Sequence, residues 1–177
     1  MFWLVTWNTY GSWLPGDPRG FRTFRGEVYV PSPVRFAKNG EEIYDPTDYE
    51  QRFRLSKRIV PCAVTLTREE QSLACAANVA EIESISMNPL ILAVARQHSH
   101  LIAEFGRHMI RPTVGQFKAS ATRAIPNPGD RKRIWAAECH MQSLQGGEAV
   151  RNAYNYVRRH EEEAALIHDW TYKPKRV

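Results

Sequence analysis

From Thr67 onward the apolar residues of this chain switch repeatedly between a helical and a strand period, and that alternation limits the fold more than any single residue does. Thr67-Arg68-Glu69-Glu70 reads as a capping box, with Thr67 at the cap and Glu70 at the third helical position. A helix should follow to about Ile85, turning Leu73, Ala76, Ala77, Ala80 and Ile85 inward, and Asn88-Pro89 stops it. Leu90 to Ala95 is an unbroken apolar run, too short for a typical helix, and reads as a central strand. Arg96-Gln97 leads tightly into His98 to Phe105, which alternates, so the two segments form a hairpin. Pro112 opens a second helix to about Ala124, with Val114, Phe117, Ala121 and Ile125 on one side, and Asn127-Pro128-Gly129-Asp130 ends it. Ile134 to Leu144 looks extended, and beyond Gly146-Gly147 a last helix runs from Glu148 to about Ile167. With Phe2 to Trp7 as a first strand, the order is β-α-β-β-α-β-α. That order points to an α+β fold: a ferredoxin-like antiparallel sheet with helices on one face.

Between the first strand and the capping box the pattern is lost. Gly11, Pro15-Gly16-Asp17-Pro18 and Gly20 break regular structure, and residues 16–61 read as a long irregular insertion in a single domain spanning 1–177. The chain carries 24 Lys and Arg against 19 Asp and Glu, a net charge of +5 that favours a polyanionic partner. Cys62, Cys75 and Cys139 form neither a zinc-binding nor a disulfide pattern, and Cys75 reads as a buried thiol in a helix. No apolar run is long enough to span a membrane and the first residues lack the pattern of a leader, so a reducing cytoplasm is expected.

Two pairs of residues carry chemistry. His98 and His100 are two apart on a strand and project from the same face, while Leu101, Ala103 and Phe105 occupy the other and can pack on helices. Such a pair is either half of a metal site or a surface HxH holding nothing. Tyr156 and His160 are four apart on the last helix, about 40° around its axis, and share one face. The stripe Val150, Tyr154 and Val157, with Ala153 and Ala164 beside it, makes Tyr154 the core tyrosine and leaves Tyr156 on the flank. Taken alone, this pair also reads as a half-buried aromatic beside a solvated histidine. Taken together, His98, His100 and His160 could hold Mg²⁺ or Mn²⁺, nitrogen ligands favouring manganese, with open positions for phosphate oxygens. A tyrosine hydroxyl beside such an ion could attack phosphorus in line. Glu104 projects to the same face as His100 and reads as a supporting group or a surface carboxylate. His108, His140 and His168 have no partner at ligand spacing.

The stretch Leu92-Ala93-Val94-Ala95-Arg96-Gln97-His98-Ser99-His100-Leu101-Ile102 resembles the hairpin and HUH motif of the REP-associated tyrosine transposases and their single-tyrosine insertion-sequence relatives. Ala153-Tyr154-Asn155-Tyr156-Val157-Arg158-Arg159-His160 resembles their nucleophile helix, and Thr6-Trp7-Asn8-Thr9-Tyr10-Gly11-Ser12-Trp13-Leu14-Pro15-Gly16-Asp17 is similar to one branch of them. The resemblance implies an HUH endonuclease fold and a DNA transposase acting on single-stranded, hairpin-flanked DNA through a 5′-phosphotyrosine. Tyr156 would be its nucleophile, His98 and His100 its metal ligands, and His160 the third ligand, four residues beyond the tyrosine. It further implies a possible homodimer and a nucleoid-associated place in the cytoplasm.

This chain departs from the pattern in three places: Ser99 where HUH has a bulky apolar residue, Ala95-Arg96-Gln97 where Met-Pro is usual, and His160 where the third ligand is usually an amide. Arg96, Arg107, Arg111, Lys118, Arg158 and Arg159 are the cations expected to meet DNA, among basic clusters that include Arg131, Lys132 and the tail Lys173, Lys175 and Arg176. The aromatics Trp3, Trp7, Trp13 and Phe53 suit stacking on single-stranded bases. Two alternatives stand beside the transposase reading: a non-catalytic single-stranded nucleic-acid-binding descendant of the scaffold, and a small metallohydrolase that uses the histidines without the tyrosine.

Overall fold

The computed structural model describes residues 1–22, 29–31, 46–60, 62–126 and 133–171. Seven strands lie among them: β1 (Phe2–Thr9), β2 (Gly20–Arg22), β3 (Tyr29–Pro31), β4 (Asn88–Val94), β5 (His98–Glu104), β6 (Trp135–Leu144) and β7 (Leu166–Asp169). The helices are α1 (Pro46–Ile59), α2 (Arg68–Ser84), α3 (Ile110–Ala124) and α4 (Gly146–Arg159). The main sheet has the order β6-β1-β5-β4-β7 with every pair antiparallel. Its first four members, with α2 and α3 as the two crossovers, form the ferredoxin-like α+β core that the order of elements implied.

The alternation of each strand sorts side chains onto two faces. On one, Val5, Trp7, Leu92, Val94, Leu101 and Ala103 pack against Ala74 and Ile82 of α2 and Val114, Phe117 and Ala121 of α3. On the other, Leu4, Ile91, Ala93 and Ile102 meet Ala153 and Val157 of α4. The two crossover helices therefore share one face as expected, while α4 covers the opposite one. That separation matters because the even-numbered residues of β5 now point at α4.

Thr67 caps α2 as read: its side chain accepts from the Glu70 amide, and the Glu70 carboxylate accepts from the Thr67 amide. The face it buries differs. Gln71, Ala74, Asn78 and Ile82 are buried, Leu73 and Ile85 pack partly against the core as expected, and Ala76 and Ala80 are exposed. Apolar periodicity misses this because two of the inward residues are polar. Gln71 Nε2 donates to the Val94 carbonyl and so spans from helix to sheet.

The last helix also ends earlier than its apolar pattern suggests. It stops at Arg159, His160 forms the cap, and β7 replaces the expected final turns. Ala164, with φ 60, sits in the left-handed region that makes this reversal, and its carbonyl accepts from Arg68 Nη1. Tertiary contact holds a turn that a non-glycine residue disfavours.

The segment read as irregular between 16 and 61 holds the β2–β3 ribbon and α1; the remainder, 23–28, 32–45 and 61, lies outside the described residues, as do Asn127-Pro128-Gly129-Asp130, Arg131, Lys132 and the basic tail. Cys75 is partly buried in α2, and burial pushes its thiol up to about 11, so it is inert at neutral pH. Among the described residues no helix is long and apolar enough to cross a membrane.

Candidate metal and nucleophile site

β5 lies between β1 and β4, and its first residues pair with the end of β1: Asn8 with His98 and Thr6 with His100. His98 and His100 project to the α4 face, and their rings meet at 4.8 Å between centroids. Leu101, Ala103 and Phe105 pack into the opposite cluster, as the alternation required. Ser99, the small residue in the HxH, is fully buried on that same face; its cross-strand partner is the fully buried Trp7, which supplies the bulk there.

His160 arrives from α4. Ala153, Val157 and His160 follow one another at i, i+4, i+7 and are all buried, so the histidine continues the stripe that seats the helix on the sheet. Its ring centroid lies 5.2 Å from that of His98 and 4.5 Å from that of His100. One ligand atom from each imidazole lies within 4.8 Å of those of the other two. The four groups His98, His100, Tyr156 and His160 thus come together within one chain.

Hydrogen bonds orient two of the rings. His160 Nδ1 is 3.0 Å from the Tyr156 carbonyl oxygen, which can only accept, so Nδ1 donates and Nε2 is the nitrogen left for a ligand. His100 Nδ1 is 2.7 Å from Thr6 Oγ1, and His100 Nε2 is buried without a hydrogen-bond partner among the described residues. A buried, orphaned imidazole nitrogen facing two more imidazoles is what a ligand set waiting for a cation would present. The electrostatics agree. Burial holds His100 well below the usual imidazole range, with His98 and His160 adding repulsion. His98 is lowered by burial and then by His160, with Glu163 opposing. Neutral imidazoles are the form that binds metal.

Tyr156 is 41% exposed and stands edge-on to His100 at 5.3 Å and to His160 at 4.8 Å. Its hydroxyl makes no hydrogen bond among the described residues. Burial and then the Glu163 carboxylate raise its pKa, with Arg159 opposing, so the phenol is protonated at neutral pH. Tyr154 differs. It packs beside the buried cluster of α4, and its hydroxyl donates to Asp169 Oδ2 at 2.5 Å, so that oxygen is already engaged.

The cations expected to meet DNA separate into groups. Arg96 lines a recess with Thr65, Ala95, Gln97, His98 and Glu163, and Arg159 acts on Tyr156, so both flank the site. Arg158 pairs with Glu161 at 3.4 Å and Asp169 at 3.8 Å. Lys118 gives its amine to the carbonyls of Ala136, Ala137 and Glu138, and Arg111 pairs with Glu138. Those two brace the edge strand β6. Arg107 follows the opposite end of β5 from His98. Glu104 accepts from Asn88 Nδ2 at 3.0 Å and is a surface carboxylate.

Sequence reasoning missed two residues. Thr6 shares a face with Leu4 in any reading, but its partnership with His100 depends on strand register. Glu163 falls inside the helix that the apolar pattern implies, whereas it sits on the turn that brings it beside His98.

No family model and no curated protein matches the sequence. Among solved structures, the chain is similar to a REP-associated tyrosine transposase bound to a REP hairpin, with a TM-score of 0.49 and 10% identity, over 92% of this chain and 67% of that one.

Proposed function

We propose that this chain is a DNA transposase-type single-strand endonuclease and strand transferase that depends on a divalent metal and works through Tyr156. The observation that carries the reading is the convergence of three imidazoles, one with a buried Nε2 that has no partner among the described residues, beside a tyrosine whose hydroxyl makes no hydrogen bond among them. The likeness of the two motif stretches to those of tyrosine transposases points the same way.

His98, His100 and His160 would hold the ion. Three nitrogen donors suit Mn²⁺ better than Mg²⁺, which prefers oxygen ligands. When bound, the ion polarises the scissile phosphate and offsets the charge that develops on it. Thr6 and the Tyr156 carbonyl fix two of the rings. The Tyr156 oxygen attacks phosphorus in line and gives up its proton. A phosphotyrosine P–O bond forms, the bond to the 3′ oxygen breaks, and a proton ends on the departing 3′ hydroxyl. Attack by another 3′ hydroxyl reverses the exchange, releases Tyr156 with its proton restored, and joins the strand without an external energy source. Since one chain brings all four groups together, a second copy is not required to complete the site.

Labelled hairpin-flanked single-stranded DNA with Mn²⁺ tests the reading. Wild-type protein should cleave and form a covalent adduct, and Tyr156→Phe should do neither while binding DNA within a few-fold of wild type. Cleavage that survives in Tyr156→Phe and disappears in Tyr154→Phe would move the nucleophile. Unchanged cleavage in EDTA would remove the metal.

A further inference from the structure

Trp13 is 44% exposed, yet it is not loosely held. Its Nε1 donates to the Gly20 carbonyl at 2.6 Å, and the Arg19 guanidinium lies 4.6 Å from the ring centroid. Arg19 is itself fixed, donating to both carboxylate oxygens of Asp17 and to the Ser12 carbonyl at 2.8 Å. Asp17 is buried, and the bonds and charge of Arg19 keep its carboxyl below the usual range against the opposing effect of burial. An indole braced in this way but left open to solvent is a preorganised stacking surface rather than a failed core residue.

Two further facts give that surface a direction. The loop carrying Trp13 is tied to the connection just before His98: the Thr9 amide and Ser12 Oγ both donate to the Gln97 carbonyl, at 2.8 and 3.3 Å. On its other side the loop meets α1, where Ser56 Oγ donates to the Pro15 carbonyl at 3.3 Å and the Lys57 charge reaches Asp17. From Glu50 to the end of α1 there are four cations, Arg52, Arg54, Lys57 and Arg58, and one carboxylate. Lys57 lies over Phe53 at 5.6 Å, Arg54 meets Glu50 at 3.5 Å, and the remaining two have no acidic partner among the described residues. The loop that carries the aromatic therefore meets the helix that carries the cations, and the same loop is tied to the residue that precedes His98.

We propose that this loop and helix form a binding track for single-stranded DNA, in which a base stacks on Trp13 and the neighbouring phosphates meet Arg54, Lys57 and Arg58. The chemistry is that of single-strand recognition: a sequence-tolerant π-face flanked by mobile cations. A duplex keeps its bases stacked inside and offers the indole nothing. The track rests on the function proposed above, because it would guide a strand to Tyr156.

The test uses full-length protein carrying Tyr156→Phe and a labelled mixed-sequence single strand of about 16 nucleotides. Trp13→Ala should weaken binding roughly 5- to 100-fold, and Trp13→Phe should recover most of it. Arg54→Glu, Lys57→Glu and Arg58→Glu together should flatten the dependence of affinity on salt. Thermal melting confirms that each variant folds. Wild-type affinity in Trp13→Ala, or equal competition by a duplex of the same length, overturns the track. So does a triple variant that changes self-association, through exposed Leu55 and Ile59, but not strand affinity. The two ideas fail separately. Normal strand binding in Trp13→Ala, with cleavage still lost in Tyr156→Phe, removes the track alone. Weakened binding in Trp13→Ala, with cleavage intact in Tyr156→Phe, removes the nucleophile alone.

Discussion

Replacing Thr6 by valine removes one oxygen and nearly preserves the shape of the side chain. That oxygen is 2.7 Å from His100 Nδ1 on the paired strand, and His100 is only 4% exposed. For His100 Nε2 to meet a cation, Nδ1 must carry the proton and Thr6 Oγ1 must accept it. Thr6→Val then strands a buried N–H, which costs about 1–3 kcal/mol. In a chain of this length each kcal/mol moves the midpoint by about 2–4 °C, so the metal-free protein should melt about 2–12 °C lower. A released ring also loses its orientation as a ligand, and Mn²⁺ affinity should fall roughly 10- to 100-fold. Thermal melting measures the first effect, and calorimetric titration of Mn²⁺ into metal-free protein measures the second. Thr6→Ser should restore both. A variant that melts lower but binds Mn²⁺ as wild type would refute the orienting role and leave Thr6 a structural partner only.

Burial depresses the pKa values of His98 and His100 in the folded state, so the unfolded chain takes up their protons first. Their stabilising contribution is complete above the unfolded value of about 6.5 and is lost as pH falls from there toward the depressed folded values. Urea denaturation of metal-free protein across that window should show the loss, and His100→Gln should flatten it; an unchanged slope would argue that the ring is solvated. Val157→Ala deletes two methyl groups from a fully buried contact between α4 and the sheet, and should cost about 1.5–3 kcal/mol by urea titration. Gly11→Ala should destabilise as well: φ is +77, and the new Cβ would meet Val60 Cγ1 at 2.5 Å. The left-handed backbone alone costs about 1–2 kcal/mol, and limited proteolysis should find α1 loosened before the sheet melts.

By itself the sequence determined what depends on near neighbours. The capping box placed the start of α2, the period of two put His98 and His100 on one face, and the switch of periods implied the ferredoxin-like core. These are local properties of the backbone, expressed wherever the segment lies. Tertiary structure decided the rest. That Thr6 meets His100 follows from register across two strands far apart in the chain. That Gln71 and Asn78 are buried follows from what α2 packs against, which hydrophobicity does not encode. The last helix stops at Arg159 because Ala164 is held in a left-handed turn whose carbonyl is bound by Arg68, and only that stop allows β7 to form and Glu163 to reach His98. The three imidazoles were legible as candidates; their convergence required α4 to cross to the face that α2 and α3 leave open, a choice made by Ala153 and Val157 fitting against Leu4, Ala93 and Ile102.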